Sequence, residues 1–84
     1  PAGIQLFTQA QELIKNNADL NADVNHKGPL LAQAALNNDY VSTALLLLGH
    51  GAYPDVIDHL GKTPLLYAAE LSADKIIQAL VYFG

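Results

Sequence analysis

The 84-residue chain contains no cysteine, no methionine, no tryptophan and no arginine. Without cysteine it can form neither a disulfide nor a thiolate zinc site, which fits a reducing, intracellular setting. Four lysines stand against eight carboxylates, giving a formal net charge of −4. No positive stripe can be assembled to neutralise phosphates, so nucleic acid is excluded as a partner and an anionic membrane surface is disfavoured. The apolar run Ala44 to Gly49, which no other exceeds, falls far short of the ~20 residues that span a bilayer. No basic segment followed by an apolar stretch and a cleavage site opens the chain. Its start at Pro1, with methionine absent throughout, leads us to expect a fragment or a processed product of a longer protein.

What is present is apolar bulk: 51% of the residues are hydrophobic and 14% charged. A chain this short buries only about 60 to 65% of the surface its unfolded form exposes. Part of that apolar surface is therefore expected to meet something outside these residues. Ile4, Phe7, Ala10, Leu13 and Ile14 share one face of a helix over residues 4–16, which Asn16 and Asn17 can end. Residues 18–28 are polar and turn-rich. A short helix is expected over 30–37, a break at 37–39 with Asp39 as cap, and an intensely apolar helix over 41–48. A last pair is expected over 64–71 and 74–83, with Ile76, Ile77, Leu80 and Val81 forming the apolar face of the second.

Gly61-Lys62-Thr63-Pro64-Leu65-Leu66-Tyr67-Ala68-Ala69 has the chemistry of a turn feeding a helix. Gly61 suits a turn closed to most residues. Thr63 can cap with its hydroxyl, and Pro64 follows where a missing N–H costs nothing. The segment has an echo at Gly28-Pro29-Leu30. An offset of 35 residues pairs Pro29 with Pro64, Ala34 with Ala69, Asp39 with Asp74 and Gly49 with Gly84.

These residues resemble the G-x-T-P-L-x-x-A-A opening of an ankyrin repeat, and Gly51 to Pro64 matches that family's spacing without a gap. The resemblance implies an all-α solenoid of stacked antiparallel helix pairs with β-hairpin-like loops. It divides the chain into a helix of a first partial repeat (1–17), a second repeat (18–51) and a third (52–84). The family period of about 33 residues implies an insertion of about two residues between Ala35 and Gly51. Small residues such as Ala34, Ala35, Ala68 and Ala69 would let neighbouring helices approach, since no single pair can cover its own apolar face. Tyr67, Leu80 and Val81 are expected at an uncapped C-terminal end, to be covered by further chain or by another subunit. Leu66 stands where the family carries a bracing histidine, so packing is expected to replace hydrogen bonds there and the hairpin to be less rigid.

The family recognises proteins through hairpin tips and the exposed side of each first helix. Carried onto this sequence, the candidates are Ile57, His59, Leu60, Lys62, Glu70 and Leu71 in the third repeat. In the second they are Asn25, His26 and Lys27, with Asp23 and Ala35 or Leu36 beside them. Leu60 and Ile57 either form an apolar contact surface or fold back under their own loop.

His26, His50 and His59 are not spaced as metal ligands, although His26 and His59 are expected at equivalent tips. No nucleophile elbow, paired catalytic carboxylates in a pocket or phosphate-binding glycine run is present. No catalytic, metal or cofactor site is expected. The sequence reads as a non-catalytic protein-interaction module in a larger intracellular scaffold. The alternatives are a regulatory or assembly segment of an enzyme, or of a bacterial effector acting in a host cell.

Overall fold

The computed structural model describes residues 2–84, with side chains from Ile4 onward; Pro1, counted with the first partial repeat, lies outside them. Among the described residues there are five α-helices: α1 (Ala2–Lys15), α2 (Leu30–Ala34), α3 (Val41–Gly49), α4 (Pro64–Glu70) and α5 (Asp74–Phe83). The longer α1, α3 and α5 pack side by side in one layer, and the short α2 and α4 form the second. Among the described residues there is no strand, and the hairpin loops contain a single antiparallel bridge, Asp23 with Pro29.

Leu30, Leu31, Ala34, Ala44, Leu47, Ala68 and Ile76 are fully buried. Alanine at three of these seven places is what lets the layers approach closely. In α1, Ala10 is buried and Leu6, Phe7, Leu13 and Ile14 half-buried, whereas Ile4, expected on the same face, is exposed.

Three helices end in the same way. In α1 the Ala18 N–H donates to the Leu13 carbonyl (2.9 Å) and Asn17 to Ile14 (3.1 Å). In α3 Ala52 donates to Leu47 and Gly51 to Leu48, and in α4 Ala73 donates to Ala68 and Ser72 to Ala69. Asn17, Gly51 and Ser72 all have positive φ, as this paired closure requires. The turn after α2 is different. It runs through a 3-10 turn, Asn38–Tyr40, and the Asn37 side chain accepts the Asp39 N–H at 2.8 Å. Asn37, rather than Asp39, is therefore the capping residue, and α2 stops at Ala34 instead of reaching Asn37.

That turn corrects the register of the repeat. Pro29 is the N-cap of α2, whereas Pro64 is the first residue of α4, behind the N-cap Thr63. Loops and short helices thus repeat at 34 residues: Asn17 with Gly51, Pro29 with Thr63, Gln33 with Tyr67 and Ala34 with Ala68. The long helices repeat at 33, pairing the buried Thr43 and Leu47 of α3 with the buried Ile76 and Leu80 of α5. The insertion is one residue, absorbed in the 3-10 turn, and not two.

Successive repeats are also joined by asparagine amides. Asn21 Oδ1 accepts the Tyr53 N–H at 2.9 Å, and Asn38 Oδ1 accepts the Lys75 N–H at 3.0 Å. The second bond satisfies one of the free N–H groups of the first turn of α5, which has no side-chain cap of its own.

Candidate partner-binding surface

The two loops that feed α2 and α4 reach similar shapes by different chemistry. In the first, Lys27 N–H donates to the Val24 carbonyl (3.1 Å), and Asn25 (φ 57°) and His26 (φ 60°) are both left-handed. That is the type I′ turn favoured between right-twisted arms. In the second, Gly61 N–H donates to the Asp58 carbonyl (3.0 Å), His59 and Leu60 keep negative φ, and Gly61 alone is left-handed at 76°. The second loop turns on one left-handed residue, whereas the first uses Asn25, His26 and, at its base, Gly28.

Each loop is braced from the helix behind it. Gln33 Nε2 donates to the carbonyls of Val24 (3.2 Å) and Gly28 (3.0 Å), and Asp23 Oδ1 accepts the Gly28 N–H (2.7 Å). In the second loop Asp58 Oδ1 accepts the N–H groups of Leu60 (2.9 Å) and Lys62 (3.0 Å), while the Tyr67 hydroxyl donates to Asp58 Oδ2. The Tyr67 bond holds the Asp58 carboxyl below its ordinary pKa; burial opposes it as the next largest effect, and the backbone donors of Lys62 and Leu60 reinforce the lowering. The same bond, with burial and the Asp58 charge, pushes the Tyr67 phenol up to about 12. Gln33 and Tyr67 occupy equivalent positions, so one site on the short helix always reaches back to its loop. Leu66 takes no part in this. It is 44% exposed, so packing at Leu66 does not replace the missing histidine; Tyr67 and Asp58 hold the hairpin.

The loops touch each other at their bases, where a Cβ built on Gly28 would lie 3.1 Å from Asp58 Cβ. Around that contact the expected contact residues separate into two groups. His26, Ile57 and His59 line a groove of about 400 Å³ between the tips, with Asp23 and Asp58 beside them. His26 is equivalent to Leu60 and His59 to Asn25, so the two histidines are neighbours without being counterparts. His50 is remote from both, its Nδ1 2.9 Å from the Leu46 carbonyl at the end of α3.

On the side of the short helices, Lys27 lines a second groove of about 360 Å³ with Leu6, Leu36, Tyr40 and Tyr67. Next to it Lys62 Nζ bridges both oxygens of Glu70 (3.2 and 3.3 Å) and sits 5.2 Å from the Tyr67 ring centroid. This ordered ladder of cation, ring and carboxylate lies half-exposed, a setting in which an ion pair contributes up to about 1 kcal/mol. Ile57 and Leu60 are each 64% exposed, so neither folds under its own loop. Leu71, at the end of α4, is exposed as well, and Asn25 stands exposed at the first tip. Ala35 is buried and unavailable, whereas Leu36 is exposed.

The family described as "Ankyrin repeats (3 copies)" matches residues 5–84. The chain is also similar to YahD of Escherichia coli (strain K12), a protein named for ankyrin repeats, with 42% identity over 65 residues. That alignment covers 71% of this chain and 32% of the relative, so the chain spans about a third of the relative's length.

Proposed function

Since the chain belongs to the ankyrin-repeat family, we propose that it is a non-catalytic module that holds a protein partner on its hairpin tips and on the exposed side of α2 and α4. The observation that carries this reading is the pair Ile57 and Leu60. Two large apolar side chains are held out in solvent on a loop that is locked from behind by Asp58 and Tyr67. Apolar groups fixed in place before an encounter lose little conformational entropy on binding, which is what contact anchors require. Around them His59, His26, Asn25 and Lys27 supply polar contacts at the tips, and Lys62, Glu70 and Leu71 continue the surface along α4.

Net charge −4 and the absence of arginine turn this surface toward protein rather than nucleic acid. No helix among the described residues is long and apolar enough to cross a membrane. The cysteine-free composition supports work inside a cell. The test compares the chain with an Ile57→Asp, Leu60→Asp variant as bait, each with its circular dichroism recorded. Loss of captured proteins with an unchanged spectrum is the expected result. Unchanged capture by the folded variant would overturn the assignment of the tips.

A further inference from the structure

The groove between the two hairpin tips has a charge of its own. Both of its walls are loops inside the chain, and the buried Gly28 and Pro29 lie at its base. Among the described residues Asp23 and Asp58 line it and no lysine does. The cations of this region are placed elsewhere: Lys27 on the side of the short helices, and Lys62 against Glu70. With histidine neutral, the groove therefore carries two negative charges in a chain whose net charge is already −4. Two imidazoles, His26 and His59, and the apolar Ile57 stand around those carboxylates.

We propose that this groove seats an arginine side chain presented by the protein partner, an inference that rests on the tips being the partner-binding surface. Charge complementarity selects a cation. Asp58 is already engaged, its oxygens accepting from Leu60, Lys62 and Tyr67. Asp23 uses Oδ1 for the Gly28 N–H at 2.7 Å, and among the described residues nothing donates to its Oδ2. A carboxylate offers about four acceptor sites. Asp23 thus keeps most of its capacity for an incoming donor, while Asp58 supplies charge from a fixed position. The bond to Gly28 also holds the Asp23 carboxylate in place before the partner arrives, which lowers the entropy lost on binding.

The lining selects guanidinium over ammonium. A guanidinium is planar, stacks on aromatic faces and is more weakly hydrated, so a groove lined by two imidazoles suits it better than a compact, strongly hydrated ammonium. Its fork meets a carboxylate with two parallel bonds, and its methylene stem lies naturally along a side chain such as Ile57. An acidic side chain would instead meet two carboxylates of its own sign and is turned away.

Titration of the isotope-labelled 84-residue chain with N-acetyl-arginine amide, followed by its backbone amide resonances, tests the groove directly. The titration runs at about pH 8, where imidazole side chains are mostly neutral, and at low salt, where charge pairs are least screened. Saturable shifts are expected at the His26, Gly28 and His59 amides, half-complete on the order of 10 mM. N-acetyl-citrulline amide, the neutral isostere, should produce none, and N-acetyl-lysine amide should bind about threefold more weakly or worse. Asp23→Asn keeps an Oδ1 acceptor for Gly28 and so the fold, yet should weaken arginine binding about fivefold or more. It should also reduce the capture of proteins from a lysate. Leu60→Asp, outside the groove, should still bind the arginine probe, so a failure of the apolar tip anchors is read separately, by protein capture alone. No saturable shift up to ~100 mM would overturn the proposal and leave the tips as a contact surface. Equal shifts with citrulline or lysine, or undiminished protein capture by a folded Asp23→Asn chain, would overturn it as well.

Discussion

Three glycines separate three physical effects, and replacing each by alanine should give three different results. Gly28 has φ +90° and its added Cβ would meet Asp58 Cβ at 3.1 Å. A left-handed L-residue costs about 1–2 kcal/mol. The contact adds about 1 kcal/mol, because Asp58 is fixed by its bonds to Leu60, Lys62 and Tyr67 and cannot retreat freely. Reduced freedom of the unfolded chain returns about 0.4–1 kcal/mol. Gly28→Ala should therefore destabilise by about 1–3 kcal/mol. Gly61, at φ +76° with nothing within 4 Å, lacks the contact, and its alanine variant should lose only about 0.5–1.5 kcal/mol. Gly49 lies in α3 with open space around it and no positive φ, so Gly49→Ala should stabilise by about 0.5–1 kcal/mol. Urea titrations followed by circular dichroism read all three, and about 1 kcal/mol corresponds to roughly 4–8 °C in melting temperature for a domain of this size. If Gly28→Ala costs no more than Gly61→Ala, the two hairpin bases are not in contact. If Gly49→Ala destabilises, the boundary of α3 is misplaced.

Other perturbations test the brace, the stack and the strained tip. Asp58 has a carboxyl pKa lowered from 3.8, so its contribution to stability is present above that value and is lost as pH falls through the folded value. Tyr67 is raised from 10.0 to about 12, so its contribution is complete below pH 10 and is lost between 10 and 12. Tyr67→Phe should lower the urea midpoint at neutral pH and flatten both limbs of the stability profile; steep limbs in the variant would refute the brace. Leu31→Ala should cost about 2–5 kcal/mol, whereas Leu65→Ala at the equivalent exposed position should cost less than half as much; equal losses in urea titrations would contradict the exposure of Leu65. His26→Gly should raise the melting temperature by about 2–6 °C, because Asn-Gly suits the type I′ turn that Asn25 and His26 now occupy under strain. A fall would show that the His26 side chain stabilises the loop.

Much of the architecture was legible because it rests on short-range rules. Thr63 does cap α4, accepting the Leu66 N–H at 3.2 Å, and Asn17 does end α1 in the left-handed conformation. The register was harder to read, since two prolines 35 residues apart invite alignment while one sits at an N-cap and the other inside the helix. Only backbone conformation distinguishes those roles. The braces were hidden for a related reason. Gln33 and Tyr67 share no chemistry beyond a donor at the end of a side chain, so their common task appears only when the loops are in place. Tyr67 and Leu80 were expected among the uncovered residues at the end of the stack, yet Tyr67 is half-buried in the brace and Leu80 is almost fully buried. Val81 is exposed as expected, and the rest of the uncovered surface belongs to Leu65, Leu66 and Tyr82.

The asparagine bonds between repeats all point one way. Asn21 serves the backbone at Tyr53, and Asn38 serves Lys75; in both, the earlier segment supplies the acceptor and the later one receives it. As a ribosome releases this chain from its N-terminus, the third repeat emerges to find both acceptors already made in the second. The direction of these two bonds therefore matches the direction of synthesis, with α4 and α5 docking onto acceptors that precede them in the chain.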